Sequence, residues 1–170
     1  MGPRGADVIA DDVALPAAST SSLTPELLDA LRSVTDPEYP DISIVDLGLV
    51  ESVVVVDGSV TVGLIPTFSG CPALAMIAAD VRLALETVGH VERCVVEWLP
   101  SPAWSTARMS ATARDALASD YTVVLRGVDG TLRCPICGSR DVRDQSMAGP
   151  TRCRSISWCD ACRNPVEVMR

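Results

Sequence analysis

The sequence has no lysine, one histidine, one phenylalanine and two tyrosines. Each shortage narrows the reading. With aromatic residues at 4% of the chain, a core has to be built on Val, Leu, Ala and Ile. The one histidine, His90, falls past the far end of a helix-like run, so a reactive cysteine would lack the usual imidazole base. The missing lysine leaves arginine as the sole basic residue, a compositional bias from which no function is drawn. No run approaches the roughly 20 apolar residues of a membrane span, and the first residues lack the charged, apolar and small-residue order of a signal peptide. A soluble, cytoplasmic protein is expected. The net charge of −8 speaks against a general nucleic-acid or anionic-membrane surface.

What is present is unevenly spread. Residues 1–132 hold 18 acidic residues against 7 arginines, a net −11, whereas residues 133–170 hold 4 against 7, a net +3. A length of 170 residues suits one domain of roughly 100 residues with a small appendage. Residues 1–22 mix Ala, Ser, Asp, Gly and Pro without periodicity and are expected to be a disordered tail. The main domain is expected over residues 23–126 and the basic appendage over 127–170.

Helix and strand signals follow in the order α-β-β-α-β-α. Thr24 as N-cap, Pro25 in the first turn and Glu26 near the positive dipole end open a helix whose Leu27, Leu28, Leu31 and Val34 share a face. Two Val-rich runs flank Asp57-Gly58, a pair suited to a type I′ hairpin turn. A second helix is expected after Pro72, with Leu74, Ile77, Val81, Leu85 and Val88 buried and Gly89 at the left-handed C-terminal position. "VERCVVEWL" reads as a third strand with Cys94 as a core residue, and Ser110 can cap a helix over 110–119. The fold class expected is α+β, a small mixed sheet packed with helices, followed by a cysteine-rich appendage.

That appendage contains "CPIC" and "CDAC". Two residues between thiolates let both sulfurs of a tight turn face one ion, and Gly138 relieves the backbone after the first turn. Cys134, Cys137, Cys159 and Cys162 thus form the ligand pattern of a four-thiolate zinc ribbon, with an iron–sulfur cluster or a redox dithiol as alternatives. Cys153 is an extra thiol, either packed near the site or a spare ligand.

A different setting surrounds Cys71 in "TFSGCP". Placed as N-cap of the second helix, it would have its thiolate stabilised and its pKa lowered, with Gly70 leaving room for a close partner. A reactive or metal-binding role and a packed turn residue both remain open. So do ligand and turn-forming roles for Asp36 and Glu38 in "DPE". Asp46, before Leu47-Gly48, is expected to bond the backbone of a turn. Trp104 is read as a core anchor or a partner contact.

Taken together, "DPEYPDISIVDLGLV", "PTFSGCPAL", "LPSPAWST" and the cysteine-rich tail resemble the PaaD-like accessory proteins of bacterial phenylacetyl-CoA 1,2-epoxidase systems. Their main domain is of the SufT-like iron–sulfur assembly type. The resemblance spans roughly residues 25–170 and maps the DPE motif onto Asp36, Pro37 and Glu38, and the T-x-x-x-C-P motif onto Thr67, Cys71 and Pro72. It assigns the key functional cysteine to Cys71 and the intervening ribbon cysteine to Cys153. In the tryptophan loop, Ala107 and Arg108 stand where the family usually carries Asp and Trp.

The resemblance implies a non-catalytic maturation protein for a multicomponent monooxygenase. Cys71 would hold an iron–sulfur cluster transiently, with Thr67, Asp36 and Glu38 shaping the site. The ribbon would hold structural zinc and dock oxygenase or reductase subunits. One cysteine cannot satisfy a cluster, so a homodimer, a client thiol or Cys94 would have to help. A structural subunit that never handles iron, and a ribbon regulator binding nucleic acid, are the rival readings.

Overall fold

The computed structural model describes residues 24–127 and 129–169; the expected tail at residues 1–22 lies outside them. Helix α1 (Pro25–Arg32) starts where its grammar says it should. The Thr24 hydroxyl accepts the Leu27 amide at 3.4 Å, and Leu27, Leu31 and Val34 are buried.

Two short strands not foreseen in the sequence come next. β1 (Thr35–Asp36) and β2 (Tyr39–Ser43) pair antiparallel around Pro37-Glu38, with Asp36 opposite Tyr39. The DPE segment is thus the tip of a tight hairpin. Its turn is held by the Glu38 amide donating to Asp36 Oδ1 at 2.8 Å.

The central sheet has the order β3 (Val50–Val56), β4 (Ser59–Leu64), β5 (Arg93–Trp98). β3 and β4 form the expected hairpin. Asp57 and Gly58 take φ of 46° and 78°, which the type I′ turn requires, and Val56 faces Ser59. β4 and β5 are parallel, so α2 (Leu74–Glu86) is the crossover between them and lays Ile77, Val81 and Leu85 on the core. At its end the expected left-handed glycine is absent. Thr87 caps the helix in a right-handed conformation and its hydroxyl donates to the Ala84 carbonyl at 2.6 Å, leaving Gly89 no capping duty. Cys94 is buried in the main core, as expected.

A single 3-10 turn (Thr106–Arg108) leads into α3 (Ala111–Ser119), where the Ser110 hydroxyl accepts the Ala113 amide at 3.0 Å. The chain then enters a four-stranded sheet ordered β6 (Val123–Leu125), β9 (Asn164–Met169), β8 (Arg154–Cys159), β7 (Val142–Ser146). β6 pairs parallel with β9, and β9–β8–β7 is an antiparallel meander. β6 follows directly on the helical layer, so the sheet of the cysteine-rich part begins inside the chain of the main domain. The small core of this part holds Leu132, Cys134, Cys159, Val166 and Val168, and two of those five are cysteines of the paired motifs. Among the described residues no helix is long and apolar enough to cross a membrane.

Candidate functional site

The four paired cysteines meet. Cys134 Sγ lies 3.6 Å from Cys162 Sγ, Cys137 Sγ lies 3.6 Å from Cys159 Sγ, and all four sulfurs fall within 4.8 Å of one another. Two equivalent turns achieve this. In the first, Gly138 at φ 72° donates its amide to the Cys134 carbonyl at 2.9 Å. In the second, Arg163 at φ 59° donates to the Cys159 carbonyl, also at 2.9 Å. The glycine predicted for the first turn is therefore matched by a left-handed arginine in the second.

A single ion with metal–sulfur bonds of about 2.3 Å places tetrahedral sulfurs about 3.8 Å apart, so the donor set fits one ion. A multi-iron cluster holds its thiolates on separate corners, wider than this. The close sulfur contacts run between the two C-x-x-C turns rather than within either, which does not match a redox dithiol. The Cys162 thiol is pulled down to about 7, first by the Asn164 side chain and also by the neighbouring thiols, whereas the Cys137 thiol, despite the Ser139 backbone N–H, is pushed up to about 12 by burial and by the other three thiols.

Cys71 is built differently. It sits in the loop leaving the carboxyl end of β4, the place where parallel strands open toward ligands. Its amide donates to the Phe68 carbonyl at 3.1 Å, and its carbonyl accepts the Leu74 amide at 3.4 Å. The N-cap of α2 is Ala73, not Cys71. The expected fall in the thiol pKa is reversed: burial pushes Cys71 up, the Ala73 backbone N–H opposes this, and the charges of Asp36 and Glu38 push it up further. Nor does Gly70 leave an open space, because a side chain there would collide with the Phe68 ring.

That charge coupling reports which predicted residues the fold brings together. Asp36 and Glu38, at the β1–β2 tip, act on Cys71, although 33 residues separate Glu38 from it in the chain. Asp36 is buried at 9% exposure, and burial raises its own pKa despite the Glu38 amide that bonds it. Thr67 lines a second cleft, of about 430 Å³, with Phe68, Trp98, Pro100 and Trp104. His90 is exposed beyond the end of α2, a helix about 20 Å long.

The remaining motif residues are structural. Asp46 bonds a hydroxyl rather than the expected backbone: Ser43 Oγ donates to Asp46 Oδ2 at 2.5 Å and accepts the Asp46 amide at 3.0 Å. Gly48 takes φ 70°, and a side chain there would collide with the Arg108 backbone. Trp104 Nε1 donates to the Leu47 carbonyl at 2.9 Å, and Arg108 Nε donates to the Gly48 carbonyl at 2.8 Å. Arg108 also pairs with Glu51 at 2.7 Å, so the residue replacing the family's usual tryptophan clamps this turn.

Sequence reasoning missed the junction between the two parts. Cys153 does not join the four clustered cysteines. It is buried at 7% exposure, and its thiol donates to Glu38 Oε2 at 3.2 Å. The adjacent pair repeats the contact: Arg154 Nε donates to Tyr39 Oη at 2.9 Å, its guanidinium lies 4.9 Å from the Tyr39 ring centroid, and it pairs with Glu167 at 2.7 Å. Two consecutive residues of the hairpin tip thus meet two consecutive residues entering β8. Beside this clasp lies a cleft of about 580 Å³, lined by Glu38, Phe68, Pro72 and the loop over residues 147–152.

Comparison with known proteins places these parts. Residues 25–98 match the family model described as "Iron-sulfur cluster assembly protein", and residues 118–170 match "PaaD zinc beta ribbon domain". The chain is 33% identical over 151 residues to an Escherichia coli protein named as a putative subunit of 1,2-phenylacetyl-CoA epoxidase, covering 85% of this chain and 91% of that one. It is 38% identical over 89 residues to a Porphyromonas gingivalis "Fe-S protein maturation auxiliary factor", covering 52% and 84% respectively. A crystal structure of a domain of unknown function from Bacillus anthracis aligns with TM-score 0.53 at 35% identity, over 55% of this chain and 90% of that one. An assembly-type domain clasped to a four-cysteine ribbon, together with a likeness that runs through both parts, makes the chain a member of the PaaD family.

Proposed function

We propose that the protein is a non-catalytic maturation factor that assists iron or iron–sulfur centre assembly in a multicomponent phenylacetyl-CoA-type monooxygenase. The observation that carries this reading is the convergence of Cys71, Asp36 and Glu38 at the carboxyl end of a parallel strand, beside an open cleft. The cargo, iron alone or with sulfide, is the protein's substrate and not its resident group. Cys71 ligates it, Asp36 and Glu38 supply negative charge, and Thr67 lines the approach from the neighbouring cleft.

The same charges explain why holding is transient. Without cargo, burial and the two carboxylates keep the Cys71 thiol protonated and unreactive. A cation in the cleft reverses the sign of that field and releases the proton. At neutral pH a proton competes for the sulfur, and competition of this kind favours hand-over above storage. Zinc in the four-thiolate ribbon is structural in this reading, and the ribbon, with its net positive charge, docks the oxygenase or reductase subunit.

The test is complementation. In a strain lacking this gene, a Cys71→Ser chain is expected to leave the client oxygenase without its metal centre, while the protein itself accumulates at the wild-type level. Full oxygenase activity with Cys71→Ser would defeat the carrier reading and favour a structural subunit that never handles iron.

A further inference from the structure

We propose that Cys153 is the second thiol ligand of the Cys71 site, so that cargo is held between the assembly domain and the ribbon with Glu38 between the two sulfurs. This rests on the carrier reading of Cys71 and adds to it the missing ligand. Cys153 belongs by sequence to the ribbon, yet its sulfur is outside the four-thiol set and bonded to Glu38. Glu38 lines the cleft of about 580 Å³ together with Phe68 and Pro72 of the Cys71 turn. Cys153 is therefore one hydrogen bond in from the lining residue Glu38, and Cys71 directly precedes the lining residue Pro72 in the chain.

Arg154 and Tyr39 lock the junction beside Cys153, while residues 146–148 and 150 of the loop before it are exposed. Ligation needs no redox step. The S–H bonds of Cys71 and Cys153 break and iron–sulfur bonds form. The Cys153 proton passes along its existing bond to Glu38 and then to water in the cleft, and the Cys71 proton goes directly to that water. No second copy of the chain is required.

The experiment uses the full chain with its ribbon metal in place, incubated anaerobically with ferrous iron and sulfide and then desalted. Retained iron, visible charge-transfer absorption and zinc content are read for the wild type, Cys71→Ser, Cys153→Ser, Cys153→Val and, as a core control, Cys94→Ser. Two substitutions at Cys153 guard against a fold defect, which zinc retention and circular dichroism report. The expected result is that every variant keeps its zinc. Cys94→Ser loads as wild type, Cys71→Ser does not load, and both Cys153 variants retain at least about tenfold less iron.

If whichever Cys153 variants fold keep wild-type iron while Cys71→Ser loses it, the second-ligand proposal falls and the carrier reading stands. If both Cys153 variants lose zinc together with iron, Cys153 serves the ribbon and the proposal also falls. If Cys71→Ser retains iron, or the wild type takes up none, both readings fall together.

Discussion

The two cysteine sites of this protein are made in opposite ways. The ribbon gathers four sulfurs from two copies of one local turn, each closed by an amide four residues after its first cysteine. Its neighbourhood is too small to fold on apolar contacts alone, so metal binding and folding of the ribbon are coupled. The Cys71 site draws on three distant segments, leaves a cleft, and surrounds its thiol with groups that oppose ionisation. On the function proposed above, one keeps a metal and the other lets one go.

The largest difference should appear when each site loses a cysteine. Cys159→Ser removes a fully buried ligand from the ribbon, and the expected cost is at least about 3 kcal/mol in denaturant unfolding, with loss of the ribbon's NMR signals. Cys71→Ser, half-buried in a loop, should change stability by less than about 1 kcal/mol while abolishing cargo uptake. Equal costs would erase the contrast.

Next in size is the clasp. Arg154→Met leaves Glu167 and the Tyr39 hydroxyl without their partner, and a loss of about 2 kcal/mol is expected by urea midpoint. Cargo uptake should fall as well, because the junction carrying Cys153 and Glu38 is loosened.

The pH responses should separate too. Cys162 is pulled to about 7, whereas Cys71 is held above the ordinary thiol value by burial and by Asp36 and Glu38. Metal must displace a proton from every ligand sulfur, and Cys137 of the same set is pushed up to about 12, so zinc loading of the four-thiol ribbon should depend on pH more steeply than iron uptake at Cys71, in titrations of each metal against pH.

Asp36→Asn tests the same field from the other side. Burial raises the Asp36 pKa, so folding favours its protonated form and ionisation withdraws stability as pH climbs above 3.8. Asparagine keeps an acceptor for the Glu38 amide. The variant should melt slightly higher than wild type at pH 7, lose that gain toward pH 4, and load iron poorly. The smallest effect is expected at Arg163→Gly, which relieves a left-handed arginine and should stabilise the ribbon by up to about 1 kcal/mol.

Much of this was legible because it is local. Thr24 and Ser110 cap helices through bonds spanning three residues, Asp57-Gly58 sets its own turn, and the C-x-x-C spacing brings its sulfurs onto one face. What stayed hidden depends on distance. Prolines on both sides of Glu38 read as a helix stop, and only pairing with Thr35–Asp36 makes that stretch a hairpin. Cys71 is raised first by burial and then by carboxylates of another element, which is why a helix-terminus argument gave the wrong sign for its pKa. The partners of Cys153 and Arg154 lie 115 residues away in sequence, beyond any pattern of spacing.

The most direct test of the division between a kept and a passing metal is a paired count of zinc and iron per chain. Wild type and Cys71→Ser are reconstituted anaerobically with iron and sulfide and desalted. The expected result is one zinc in both proteins, with iron in the wild type alone. Iron retained by Cys71→Ser, or iron that replaces zinc in the ribbon, would contradict the account.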